Sequence, residues 1–140
     1  MREAKDGDAV QANRVLIAPG GLQMALEKGG PSGYRVKVFD GEPVNRHKPS
    51  VDVLFNSVAQ EIGRRAIGII MTGMGRDGAV GLLKMKENGA RTIAQDEASS
   101  IVFGMPREAI RMGAADSVQP LGKIPDVLVD LLQQKIKLPT

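Results

Sequence analysis

Apolar residues along this chain follow two patterns, short runs that are continuous or alternating and longer stretches with helical spacing. Short runs at 15–18, 34–39, 66–72, 91–95 and 117–121 predict strands, because each is bounded by glycine, proline or polar residues. The run at 66–72 is almost continuously apolar, which is typical of a strand buried on both faces of a parallel sheet.

Apolar residues spaced three and four positions apart predict helices in the remaining stretches. Ser50 is a good N-cap for the first of them, and we expect Asp77 to cap the second, which Gly89 should end. Pro106 fits the first turn of a short third helix. The predicted helices span 51–62, 78–88, 106–113 and 124–136.

Alternation of strands and helices predicts an α/β fold with a doubly wound, mostly parallel sheet, a Rossmann-like three-layer sandwich. The amino-terminal part of the chain departs from this alternation, since residues 1–13 are polar and the first apolar strand is followed by a strand pair instead of a helix. A parallel sheet needs cover on both faces, and the helices are few for the strands. We therefore interpret 1–140 as a single partial domain, incomplete at its N-terminal side.

Composition narrows the functional classes. The 140 residues are 42% hydrophobic and include no cysteine, which favours a cytoplasmic protein without disulfides or thiolate metal sites. Apolar runs are far shorter than the roughly 20 residues of a membrane span, and no signal peptide is recognisable. Net charge is +3 with dispersed basic residues, which argues against nucleic acid as a partner. We expect no metal and no cofactor.

The turn at 72–79, TGMGRDGA, follows a predicted strand and opens a predicted helix. Gly73, Gly75 and Gly78 match the G-x-G-x-x-G pattern of dinucleotide-binding domains, and Asp96 lies close to the position of a ribose-binding acid. Asp77 opposes that interpretation, since a carboxylate inside the loop would repel a diphosphate. It could be a simple helix cap. Three glycines around one acid favour close approach to a ligand or reacting group.

Four blocks of sequence carry a more specific signal. IAPGG at 17–21, DGEPVNRHKPSVDVLFNSVA at 40–59, TGMGRDGAVGLL at 72–83 and TIAQDEASSIVFGMPREAI at 92–110 together resemble the catalytic domain of the chemotaxis protein-glutamate methylesterase family CheB. The resemblance covers nearly the whole chain, from about Glu3 to Leu132. It implies a cytoplasmic enzyme that hydrolyses glutamate methyl esters on methyl-accepting chemotaxis receptors, and often deamidates glutamines, through a Ser-His-Asp site.

Transferred to this chain, the family's catalytic aspartate falls on Asp77, which would hold a histidine in the correct tautomer. The backbone N–H of Met74 matches the family's oxyanion donor. The stretch Asn45-Arg46-His47 matches a family loop that the resemblance implies to border the active-site cleft, with Arg46 and His47 on the substrate side.

Departures from the family pattern concern the other catalytic groups. The family's G-A-S-T-G-G turn with its serine and Q-H-M-P stretch with its histidine are absent, Gln23 replaces a frequent histidine, and no receiver domain is present. Ser99 or Ser100 could form a new triad with His47 and Asp77. We favour the simpler interpretation, in which both serines are turn hydroxyls and His47 is a surface or rim histidine.

These features predict a chain that is inactive alone, because it supplies only the aspartate of the triad. Its missing partners would be the N-terminal part of the domain and, in a full-length protein, a receiver domain. A non-catalytic receptor-binding module and a dinucleotide-binding domain remain alternatives. Apolar strand edges left uncovered would favour association into a homo-oligomer.

Overall fold

A computed structural model describes residues 1–137, and this part of the chain contains seven strands and four α-helices. The strands are β1 (Arg2–Glu3), β2 (Leu16–Ile17), β3 (Gln23–Lys28), β4 (Tyr34–Phe39), β5 (Ile67–Ile70), β6 (Arg91–Gln95) and β7 (Ser117–Gln119). The helices are α1 (Val51–Glu61), α2 (Ala79–Glu87), α3 (Met105–Arg111) and α4 (Ile124–Lys137). All predicted strands and helices are present, with ends that differ by up to a few residues.

Strands β5, β6 and β7 form a parallel sheet with β6 in the centre. A helix follows β5 and β6, because a parallel neighbour can be reached only through a crossover connection. Helix α4 follows β7, the last strand of the sheet. Alternate residues of β6 enter different cores. Ala94 packs with Leu82 and Met85 of α2, while Ile93 packs with Ile124 and Leu131 of α4. Both faces of the sheet are therefore covered, which confirms the three-layer α/β fold.

The amino-terminal half is built differently. Strands β3 and β4 form an antiparallel hairpin, the predicted strand pair, and β1 pairs with β2 in parallel. We did not predict β1, because its two residues are polar and pairing with β2 alone places them in a sheet. Gly7 N–H donates to Val36 O and Val10 N–H donates to Tyr34 O, so the polar opening lies along β4. A second core cluster joins Ala4 to the hairpin and α1.

Helices α1 and α2 approach each other unusually closely at Gly81. A Cβ atom placed on Gly81 would lie 2.6 Å from Phe55 Cβ and 2.9 Å from Asp52 Oδ1. Glycine is required here by the helix spacing, since the backbone conformation is ordinary helix. This contact brings the amino-terminal ends of the two helices together, beside the turn that follows β5.

Candidate active site

The glycine-rich turn lies at the carboxyl end of β5, the edge of a parallel sheet where ligands usually bind. Gly75 and Gly78 have φ values of +92° and +97°, a left-handed conformation that favours glycine. Between them the chain turns Asp77 inward, where it is only 3% exposed. The glycines thus position one buried carboxylate.

Asp77 caps a helix, but the prediction that it caps α2 was wrong, since it caps α1. Its Oδ2 accepts a 2.7 Å hydrogen bond from the Val51 N–H, and its Oδ1 accepts one of 3.2 Å from the Asp52 N–H. Both donors belong to the first turn of α1. Helix α2 begins at Ala79 after Gly78, with no side-chain cap at that position. The predicted N-cap of α1, Ser50, donates its hydroxyl to Asp77 Oδ1 at 2.7 Å instead of capping the helix.

Asp52 completes the arrangement, and sequence reasoning missed it. It is 4% exposed, and its Oδ1 accepts a 2.7 Å hydrogen bond from the Gly81 N–H in the first turn of α2. The Asn45 amide donates to Asp52 Oδ2 at 2.7 Å and to Asp77 Oδ1 at 3.0 Å. An aspartate in a first helical turn looks like an ordinary partner for the helix dipole, so nothing in the sequence indicates its cross-helix bond.

Asp77 is held as a carboxylate. Burial raises the pKa of the Asp77 carboxyl, but hydrogen bonds from Asn45, Ser50 and the Val51 and Asp52 N–H groups favour its charged form more strongly. Its pKa therefore lies below the usual aspartate value. A carboxylate that stays ionised at neutral pH is suited to stabilise the positive charge of a nearby imidazolium.

This lowered pKa predicts how stability depends on pH. A carboxyl whose pKa is lower in the folded than in the unfolded protein stabilises the fold at neutral pH, and this contribution is lost as pH falls through the folded-state pKa. We expect Asp77→Asn to lose less unfolding free energy than the unmodified protein on acidification below the usual aspartate pKa, measured by urea titration at several pH values.

Asp8 contributes to the same acid range, because the Lys5 N–H and the Arg2 guanidinium lower its pKa. The difference between the two proteins, which share Asp8, isolates the effect of Asp77. Parallel stability curves for the two proteins would contradict the prediction.

Met74 lies at the tip of the turn and is 77% exposed. Among the described residues, its backbone N–H has no hydrogen-bond acceptor. The turn itself is fixed, since Gly73 N–H donates to Val102 O and Gly73 O accepts from the N–H groups of Gly104 and Met105. A Cβ on Gly104 would lie 2.9 Å from both Gly73 O and Gly75 N. The turn therefore presents a free N–H group from a rigid backbone.

Arg46 and His47 are exposed, and Arg46 has a φ of +66°. The His47 Nε2 lies 3.9 Å from where a Cβ on Gly75 would be, which places this loop beside the glycine-rich turn. Gln23, noted from the sequence only as a departure, anchors it. The buried Gln23 amide donates to Glu42 O at 2.9 Å and accepts from the Ser50 N–H at 2.8 Å.

No triad is assembled from within the described residues. The only histidine, His47, makes no hydrogen bond to Asp77 there. Ser99 donates its hydroxyl to Asp96 Oδ1 at 2.6 Å, and Ser100 donates to Asp96 O. These contacts agree with the interpretation of both serines as turn hydroxyls. Ser99 also takes up part of the acceptor capacity of the Asp96 carboxylate, which is the ribose ligand in the dinucleotide alternative.

A cleft of about 370 Å³ adjoins Asn45 and Asp52. It is lined by Asn45, Asp52, Arg76, Ala79, Val80, Glu108 and Met112. Residues 1–137 contain no group of three or more His, Cys, Asp or Glu side chains arranged to hold a metal ion. Within the same range, every helix is too short or too polar to span a membrane.

The family model and the relatives that this chain matches are all methylesterases. The family model described as CheB methylesterase matches residues 1–128. A protein-glutamate methylesterase/protein-glutamine glutaminase of Xanthomonas campestris pv. campestris is 57% identical over 133 residues, covering 95% of this chain and 38% of the relative. One from Anaeromyxobacter dehalogenans is 60% identical over 131 residues, covering 94% of this chain and 36% of the relative.

A solved structure, the Thermotoga maritima CheB methylesterase catalytic domain, matches with a TM-score of 0.88 and 37% identity. The match covers 93% of this chain and 68% of that domain. The chain therefore has the fold of that domain, while it spans little more than a third of the length of the curated relatives.

Proposed function

The chain belongs to the CheB methylesterase family, and on that premise we propose that it carries the aspartate and the oxyanion donor of a serine esterase site. The reaction is hydrolysis of a protein glutamate methyl ester to glutamate and methanol, with deamidation of glutamine as a related activity. Asp77 is the catalytic aspartate, and the Met74 N–H is the oxyanion donor. Arg46 and His47, in the loop beside the glycine-rich turn, lie on the substrate side of the active site.

The observation that carries this proposal is the uneven bonding of the Asp77 carboxylate. Among residues 1–137, Oδ1 accepts hydrogen bonds from Asn45, Ser50 and the Asp52 N–H, whereas Oδ2 accepts only one, from the Val51 N–H. Oδ2 therefore keeps a lone pair for a further donor. A histidine Nδ1–H donating to it would be fixed in the tautomer that a serine nucleophile needs.

The Met74 N–H supports the same site. An oxyanion donor must be free of other acceptors and must stay in place while charge develops on the substrate oxygen. Met74 meets the first requirement within the described residues, and the hydrogen bonds of Gly73 to the segment at 102–105 meet the second.

Partners follow from the family. We propose that the substrate is the methylated cytoplasmic segment of a methyl-accepting chemotaxis receptor, and that the protein acts in the cytoplasm. The serine and the histidine of the site come from a segment outside these residues, and a receiver domain regulates the whole protein. The isolated chain would then have no esterase activity.

A chimaera tests this proposal. Replacing the matching 133 residues of the Xanthomonas campestris relative with this chain joins it to the remainder of a methylesterase. We expect the chimaera to release methanol from methylated receptor segments, and the isolated chain to release none. An inactive but folded chimaera would contradict the proposal and favour a non-catalytic receptor-binding module, which a pull-down on the same segments would detect.

A further inference from the structure

The amino-terminal ends of α1 and α2 are capped by each other's carboxylates. Asp77, in the turn before α2, accepts from the first N–H groups of α1. Asp52, in the first turn of α1, accepts from the Gly81 N–H of α2. Each carboxylate thus accepts from N–H groups in the first turn of a helix, where they have no partner within that helix. A shift of Asp77 would therefore uncap α1, and a shift of Asp52 would uncap α2.

Asn45 lies between the two carboxylates. One N–H of its amide donates to Asp52 Oδ2 and the other donates to Asp77 Oδ1. Two buried carboxylates in one site repel each other, and a neutral double donor offsets this repulsion without adding charge. Asn45 has a φ of +53°, a left-handed conformation that asparagine tolerates better than most residues.

The position of Asn45 determines which Asp77 oxygen stays available. Asn45 and Ser50 both donate to Oδ1, and these bonds hold the plane of the carboxylate so that the oxygen with fewer donors stays beside the Val51 N–H. We propose that Asn45 is a positioning residue for the esterase reaction, which orients Asp77 so that Oδ2 faces the histidine. This inference rests on the proposed function for its catalytic consequence, and on the contacts of the described residues for its geometry.

Alternative side chains at position 45 fail for identifiable reasons. Aspartate cannot donate and would add a third carboxylate to the site. Alanine would remove the amide and strain the left-handed backbone at the same time. Glycine removes the amide and accepts the backbone conformation, so Asn45→Gly separates the two effects. Asn13 provides the matched control, since it is exposed and has a φ of +62°.

The first test uses NMR on this chain. We expect the pKa of Asp77, followed through its carboxyl carbon, to rise in Asn45→Gly and to stay unchanged in Asn13→Gly. In the unmodified chain, both Asn45 side-chain N–H resonances should shift as Asp77 titrates, which requires no variant to fold. An unchanged Asp77 pKa in folded Asn45→Gly, or Asn45 resonances of a free amide, would overturn the inference.

The second test uses the active chimaera. Asn45→Gly should lower kcat on the order of 10-fold with little change in KM, the expected result of losing one hydrogen bond to a charged group that acts in the transition state. Asn13→Gly should leave both constants unchanged. An unchanged kcat in Asn45→Gly would overturn the positioning role of Asn45, even if the chimaera is active and its activity depends on Asp77. An inactive unmodified chimaera would instead contradict the proposed function, and the NMR result would decide the geometry separately.

Discussion

In the chimaera with the Xanthomonas campestris relative, Asp77→Asn should lower kcat on the order of 10⁴-fold, the loss typical of a triad aspartate. Asparagine nearly matches aspartate in shape, but it carries no charge to stabilise the imidazolium. The asparagine amide nitrogen is itself a donor, and it would face other donors, because all four hydrogen bonds to Asp77 from residues 1–137 are donated to its carboxylate. Methanol release from methylated receptor segments measures the effect.

Asp126→Asn is the control for that experiment, because Asp126 is an exposed aspartate in the first turn of α4. It should leave kcat unchanged. Circular dichroism of both variants separates lost chemistry from lost folding. A folded Asp77→Asn chimaera that keeps more than about a tenth of the activity would show that Asp77 is only a helix cap, whose loss costs about 1 kcal/mol of stability.

Gly81→Ala should destabilise the protein, although alanine is the better helix former by about 1 kcal/mol. The added methyl group would lie 2.6 Å from Phe55 Cβ and 2.9 Å from Asp52 Oδ1, so α1 and α2 must separate. Overpacking of this kind costs about 1–3 kcal/mol or more, and the Gly81 N–H to Asp52 bond weakens with it. We expect a net loss of about 1–2 kcal/mol in the free energy of unfolding, measured by urea titration.

Gly122→Ala is the matched control. A Cβ on Gly122 would meet no atom within 4 Å, and its φ is not positive. This substitution should therefore be neutral or slightly stabilising, since alanine reduces the entropy of the unfolded chain. Equal stability of Gly81→Ala and Gly122→Ala would contradict the close approach of the two helices.

Strands and helices could be predicted because their signals are local. The alternation at 34–39 and the apolar spacing of α1 depend on neighbouring residues alone, and both elements form where expected. Strand β1 could not be predicted, since its polar residues become a strand only through pairing with β2. Strand β5 ends at Ile70, earlier than predicted, and Met71 and Thr72 after it are exposed.

The site shows the same division between local and non-local signals. The turn TGMGRDGA identified Asp77 as a residue of interest, and two of its three glycines, Gly75 and Gly78, have the left-handed conformation that favours glycine. Which helix it caps depends on how α1 and α2 pack, and residues 25 or more positions apart in sequence supply every backbone donor to its carboxylate. Asp52 and the anchoring role of Gln23 could not be predicted for that reason, since the Gly81 and Ser50 N–H groups that they accept from are equally remote in sequence.

We propose that Asp77 Oδ2 accepts a hydrogen bond from a histidine Nδ1–H. Proton NMR of the active chimaera, with selectively labelled histidine, tests this contact most directly. We predict a strongly deshielded Nδ1 proton that is present in the unmodified chimaera and in Asp126→Asn, and that is lost in Asp77→Asn. The same resonance persisting in Asp77→Asn, or its absence from an active unmodified chimaera, would contradict the claim.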